Sequence, residues 1–150
     1  MISVALETAD ADGVLGLLEA SDAFHAELYP PEENFLLDVS SLLAPGVSVV
    51  VARRDGQAVG MGALVEAGDG TGELKRFFVL PGERGGGIAG RVLDTLLAVA
   101  TGHGLHLLRL ETGPLQPAAI AFYESRGFTR IPAFGEYVGS ASSVCFGRPL

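Results

Sequence analysis

Apolar residues recur along this chain with two different spacings, and each change of spacing marks the border of an element. Ile2 to Thr8 reads as a first strand, and Val14, Leu17 and Leu18 then share one face of a helix predicted over residues 11–20, with Asp10 as its cap. Pro30 biases Tyr29 away from helical dihedrals, so Phe24 to Pro31 reads as a loop or broken helix. A second helix is expected within Glu32–Leu43.

The middle of the chain reads as strands. Val47–Arg54 and Gln57–Glu66 flank Asp55-Gly56, a pair that favours a tight two-residue turn and therefore antiparallel pairing. Gly68-Asp69-Gly70-Thr71-Gly72 makes a second turn into a strand over Glu73–Leu80. The period then lengthens: Ile88, Val92, Leu96 and Ala100 follow at steps of four, beside Ala89, Leu93 and Leu97, which gives a helix with one broad apolar face for packing on the sheet. Leu105–Glu111 reads as the next strand, and Gln116–Arg126 as a helix with Pro117 in its first turn and Gly127 ending it. Strands near Phe128–Ile131 and Ser142–Arg148 complete a mixed sheet.

Composition narrows the class. A chain of 150 residues is expected to form one domain over 1–150, burying ~70% of its unfolded surface. With 48% hydrophobic and 19% charged residues it has the material for a packed core. The N-terminus has no basic region ahead of an apolar one, and no apolar run approaches the ~20 residues of a membrane span, so a cytoplasmic protein with no membrane partner is expected. Cys145 is the only cysteine, which excludes an intrachain disulfide and a thiolate cage, and it reads as a buried strand thiol. His103 and His106 straddle a Gly-rich turn and a strand start with no third ligand nearby, so no metal is expected.

Charge is unevenly placed. Residues 1–52 carry nine of the 18 acids and no Lys or Arg, whereas all ten basic residues lie from Arg53 onward. The first part would attract a cationic substrate and the second must meet any phosphates, while a net charge of -8 argues against nucleic acid as a partner.

The sharpest chemical signal is Arg84-Gly85-Gly86-Gly87-Ile88-Ala89, set between Phe78-Val79-Leu80-Pro81 and the periodic helix. Three glycines remove the Cβ atoms that would keep a phosphate from the backbone, and the helix that follows offers unpaired N–H groups and a partial positive dipole. Gly85, Gly87 and Gly90 also spell G-x-G-x-x-G, with Glu111 about 20 residues on, as a dinucleotide site asks. That fingerprint needs its first glycine directly after a buried parallel strand. Here Leu80 to Arg84 intervene and the strand opens Glu73-Leu74-Lys75-Arg76, so a dinucleotide-binding oxidoreductase module is the lesser alternative.

At this loop the chain resembles the GNAT superfamily of acetyl-CoA-dependent N-acetyltransferases, whose loop has the form R/Q-x-x-G-x-G/A; Arg84, Gly87 and Ala89 fill its fixed positions. Ala119 to Phe128 resembles the helix of the same superfamily that ends in Tyr-x-x-x-Gly-Phe, and the likeness spans roughly residues 47–131. The resemblance implies a GNAT-like α/β fold of the α+β type, a mixed, largely antiparallel sheet with helices on both faces, and acetyl-CoA as co-substrate. It implies a cofactor site in which backbone N–H groups from Arg84 through Gly85, Gly86, Gly87, Ile88 and Ala89 to Gly90 hold the pyrophosphate. Phe77, Phe78 and Val79 would present the strand edge to the pantetheine arm, and their amides to the oxyanion. Gln116 stands seven residues before Tyr123, where many members carry Asn, and would contact the same arm with a longer reach.

An alkylamine with a pKa of ~10.4 arrives charged and must lose a proton before attack. Glu73, which lies 11 residues before Arg84 where some members carry a glutamate base, is the expected base, and Tyr123 the expected acid for the leaving thiolate. Tyr29, His25, Glu111, Phe134, Glu136 and Tyr137 are pocket candidates by location, and Arg76 is a candidate for an acceptor carboxylate or an ordinary paired arginine. The expected activity is acetylation of a primary amine of a small molecule. A non-catalytic acetyl-CoA sensor is the alternative from the binding class, and a homodimer is the ordinary expectation for assembly.

Overall fold

The structure, a computed structural model, describes residues 1–29 and 38–150. Seven strands form one sheet in the order β1-β2-β3-β4-β5-β7-β6: β1 (Ile2–Glu7), β2 (Val47–Arg54), β3 (Gln57–Glu66), β4 (Thr71–Val79), β5 (Leu107–Thr112), β6 (Thr129–Ile131) and β7 (Val144–Pro149). Every neighbouring pair is antiparallel except β4 and β5, which run parallel. Asp55 and Gly56 both adopt positive φ, 50° and 88°, the conformation a two-residue turn needs to match the strand twist, so the β2–β3 hairpin forms where the sequence placed it.

Strand alternation divides the core in two. Val49, Val51, Met61 and Ala63 face α1 (Val14–Leu28) and α2 (Val39–Leu42), whereas Val50, Ala52 and Leu64 face α3 (Ile88–Gly102) and α4 (Pro117–Ser125). Because both faces are covered, β2 and β3 read as almost continuous apolar runs. This is the mixed, largely antiparallel sheet with helices on both faces that was expected.

Two expectations in the first third are corrected. α1 starts at Val14 after Gly13, with no side-chain cap from Asp10, and runs on to Leu28 through the segment read as a loop. Pro30 restrains only the residue before it: Tyr29 is extended, with φ -136° and ψ 147°, and the helix continues up to its neighbour. Of the helix expected within Glu32–Leu43, residues 32–37 lie outside the described residues, and Val39–Leu42 forms a short turn capped by the Asp38 carboxylate, which accepts from the Ser41 N–H at 2.8 Å. Smaller boundary shifts follow the pairing: β4 begins at Thr71, β5 at Leu107 and β7 at Val144. No helix among the described residues is long and apolar enough to cross a membrane.

Candidate active site

The central feature is a fork in the sheet. β4 and β5 pair only from Thr71↔Leu107 to Leu74↔Leu110, and beyond Leu74 the two strands part. Arg76 marks the place. It holds a positive φ of 53°, a conformation that costs a non-glycine residue about 1–3 kcal/mol, and the β3–β4 register shifts opposite it, between Met61 and Ala63. This bulge breaks the alternation: Leu74 and Phe77, three apart, both join the α3-side core, while Phe78 packs its ring 6.2 Å from Phe24 of α1. The buried Arg76 side chain is held by Asp22 at 2.6 Å, so of its two expected roles the paired arginine is the one observed.

Past the bulge, one edge of β4 has no strand beside it. The Leu80 N–H bonds back toward β3, to the Val59 carbonyl at 3.0 Å, so the backbone of Val79 points the opposite way, and alternation turns Phe77 with it. Arg84 Nε donates to the Val79 carbonyl at 3.0 Å, with the guanidinium 5.3 and 5.6 Å from the centres of the Phe24 and Phe78 rings.

The glycine loop continues from this edge. Gly85 and Gly87 have φ of 90° and 82°, open only to residues without a Cβ penalty, and a Cβ built at either would meet no atom within 4 Å. The first bond of α3 runs from the Arg91 N–H to the Gly87 carbonyl, which leaves Ile88, Ala89 and Gly90 with N–H groups that have no partner within the helix. Gly90 differs from the others: a Cβ there would lie 2.1 Å from the Arg126 guanidinium, so its backbone is backed by that side chain rather than open space. Arg126 also pairs with Asp94 at 2.8 Å.

A cavity of about 540 Å³ fills the fork, lined by Lys75–Val79 of β4, Leu110–Thr112 of β5, Phe24 and His25 of α1 with Tyr29 just past its end, and Phe122 and Tyr123 of α4. Tyr123 is buried, its ring 5.8 Å from those of Phe77 and Phe128 and 5.5 Å from Phe122. Its hydroxyl makes no hydrogen bond among the described residues, and burial pushes its pKa well up, so the proton is retained. Gln116 lines the cavity too, but its amide oxygen is engaged by the Tyr29 hydroxyl at 3.2 Å and by Thr112 Oγ1 and the Gly113 N–H, each at 3.3 Å. Only the amide nitrogen is left to face a ligand. The tie depends on Gly113, where a Cβ would sit 1.7 Å from the Tyr29 oxygen.

Glu73 does not line the cavity. Its carboxylate accepts from the Tyr137 hydroxyl and lies 3.4 Å from Lys75 Nζ, and Lys75 donates in turn to Tyr137 and to Glu136, the latter at 2.9 Å. Lys75 and Tyr137 do line it, so Glu73 meets the cavity through them. Burial, reinforced by the Glu73 hydrogen bond, raises the Tyr137 pKa far above the ordinary tyrosine value. Sequence spacing carried no sign of this cluster, since Glu73 and Tyr137 are 64 residues apart. Glu111, at the crotch of the fork, is half-buried and does line the cavity, and Ser143 donates to it at 2.8 Å. Burial raises its pKa above the ordinary 4.5, against the lowering effects of Ser143 and Lys75. Phe134 lies away from the cavity wall, under the Arg109 guanidinium at 4.3 Å. His103 pairs with Glu66 at 2.8 Å, and the ring of His106 packs over Gly70, far from each other's chemistry.

Comparison with known proteins agrees with this architecture. Residues 14–128 match the Acetyltransferase (GNAT) family. An IAA acetyltransferase of Azospirillum brasilense is 40% identical over 150 residues, spanning 99% of this chain and 98% of the relative. A Klebsiella pneumoniae crystal structure, solved as a candidate acyl-CoA N-acyltransferase, superimposes with a TM-score of 0.84 at 32% identity, covering all of this chain and 98% of that one. The PaiA N-acetyltransferase of Thermoplasma acidophilum, solved with coenzyme A, shares the fold with a TM-score of 0.75 at 16% identity over all of this chain and 99% of its own.

Proposed function

Because this chain belongs to the GNAT acetyltransferase family, we propose that it transfers the acetyl group of acetyl-CoA to the primary amine of a small molecule, by direct attack of the amine on the thioester. The observation that carries this reading is the fork: a strand edge without a partner, running into a loop whose glycines face open space and whose helix begins with unpaired N–H groups.

The residues present fit acetyl-CoA, which would supply an activated acetyl group as a thioester. The N–H groups from Gly85 to Gly90 suit the pyrophosphate, with the Arg84 guanidinium at the neighbouring edge. Phe77 and the Val79 N–H offer backbone groups to an extended amide-bearing arm, as a further strand would, the Val79 carbonyl being held by Arg84, and Gln116 offers its amide nitrogen. A cavity of about 540 Å³ lies within the ~300–1,000 Å³ usual for small-molecule sites, which favours a metabolite over a folded protein as acceptor.

Two protons must move. Tyr123 keeps its proton in a buried aromatic surround and, in this reading, gives it to the leaving sulfur. Glu73 remains the proposed base, acting through Tyr137: the amine proton passes to the Tyr137 oxygen as the Tyr137 proton passes to the Glu73 carboxylate. Backbone N–H groups beyond the Arg76 bulge take the developing oxyanion.

Thermal unfolding with added CoA tests the reading. CoA at about 100 times its dissociation constant should add ~2.7 kcal/mol of stability, seen as a raised Tm, and Gly87→Glu, if folded, should abolish the shift by bulk and like charge. A Tm unmoved by CoA but raised by NADH would overturn the reading in favour of a dinucleotide module.

A further inference from the structure

Charge on the cavity wall is balanced almost everywhere. Arg76 is paired with Asp22, and Lys75 with Glu73 and Glu136. Glu111 is the exception among the acids: its hydrogen-bond partner is a neutral hydroxyl, Ser143, and no Lys, Arg or His lies within ion-pair distance of it among the described residues. Residues 30–37 contain no basic side chain, so the missing cation is not supplied from there either. The groups around it are mostly of the wrong sign or neutral: Glu73 on β4, Glu136 and Tyr137 on the Gly135–Tyr137 turn, Tyr29 just past the end of α1 and Cys145 across on β7, with Lys75 near enough to be felt but engaged elsewhere.

We propose that Glu111 receives the ammonium group of the acceptor, so that the acceptor of this chain is a cationic alkylamine, not a neutral arylamine and not a carboxylate. The proposal rests on the acetyl-transfer reading above and adds the substrate's charge to it. A half-buried carboxylate without a counterion is costly, and the burial that raises its pKa is the deficit a bound ammonium removes. Its place at the crotch, one residue past the last β4–β5 pair at Leu74↔Leu110, sets the ammonium beside Tyr137 and the proton route to Glu73. Arg84, at the other end of the same open edge, has no carboxylate partner among the described residues, so the cavity offers a cation where phosphates are expected and an anion where the amine is.

Calorimetric titration of the protein, both free and loaded with CoA, tests this with phenethylammonium, spermidine and phenylacetate as probes. Wild type should bind at least one of the two cations and prefer phenethylammonium to phenylacetate. Glu111→Gln should bind the cations about tenfold or more weakly, while Glu111→Asp keeps most of the affinity and both variants hold CoA as wild type does. Equal cation binding by wild type and Glu111→Gln, no binding of either cation to wild type, or a preference for phenylacetate would each overturn the proposal. Loss of CoA binding alone, with Glu111-dependent cation binding intact, would instead count against the acetyl-transfer reading.

Discussion

A carboxylate kept in a poor environment is a stability cost, and Glu111 makes the cost measurable. Its pKa is raised by burial, so between the ordinary 4.5 and the folded value the unfolded chain has already released a proton that the folded chain still holds. Wild-type stability therefore falls as pH rises through that window and stays lower above it. Glu111→Gln has no such loss: its Tm is expected to gain on wild type with rising pH and to exceed it at neutral pH, although ligand binding is weakened. A constant Tm difference across the scan would show that this carboxyl titrates alike in both states. Single residues were also where reading the sequence ran out. Arg84, Gly87 and Tyr123 stood out because a fixed spacing marks them. Nothing local marks Glu111 as the unpaired acid, because that depends on where Lys75, Glu73 and Glu136, from distant segments, place their charges.

At the scale of elements, the strands and the loop-to-helix junction were legible, since periodicity and glycines specify both. The fork was not. It depends on a bulge at Arg76, and no propensity puts an arginine at positive φ; tertiary contacts, including the Asp22 pair at 2.6 Å, hold it there. The length of α1 was not legible for a related reason, since a proline biases only the residue before it and α1 must run to Leu28 to bring Tyr29 to Gln116. The glycine loop allows a test that separates ligand from backbone. Gly86 does not share the positive φ of its two neighbours, and a Cβ there would come no closer than 3.9 Å, to the Glu83 carbonyl. Gly86→Ala should accordingly leave the stability of the free protein unchanged within ~0.5 kcal/mol and weaken CoA binding several-fold. Unaltered CoA affinity by calorimetry would move the phosphates away from this loop.

Over the whole molecule, the sheet does two jobs with one interruption. Pairing from β1 to β4 and from β5 to β6 through β7 makes two halves of the sheet, and their separation past Leu74 makes the cavity between helices on opposite faces. Tyr123 reaches it from the α4 side, backed by packed core, and Glu111 from the crotch. The direct test of this arrangement is product formation: acetyl-CoA and alkylamines are incubated with the protein, and free thiol and acetylated amine are measured together by mass spectrometry. The account predicts thiol and amide in equal amounts, dependent on the amine, and a rate that falls by up to ~10²-fold in Tyr123→Phe while CoA affinity is kept. Tight CoA binding with no amine-dependent thiol release across an alkylamine panel would contradict it and mark the protein as an acetyl-CoA sensor.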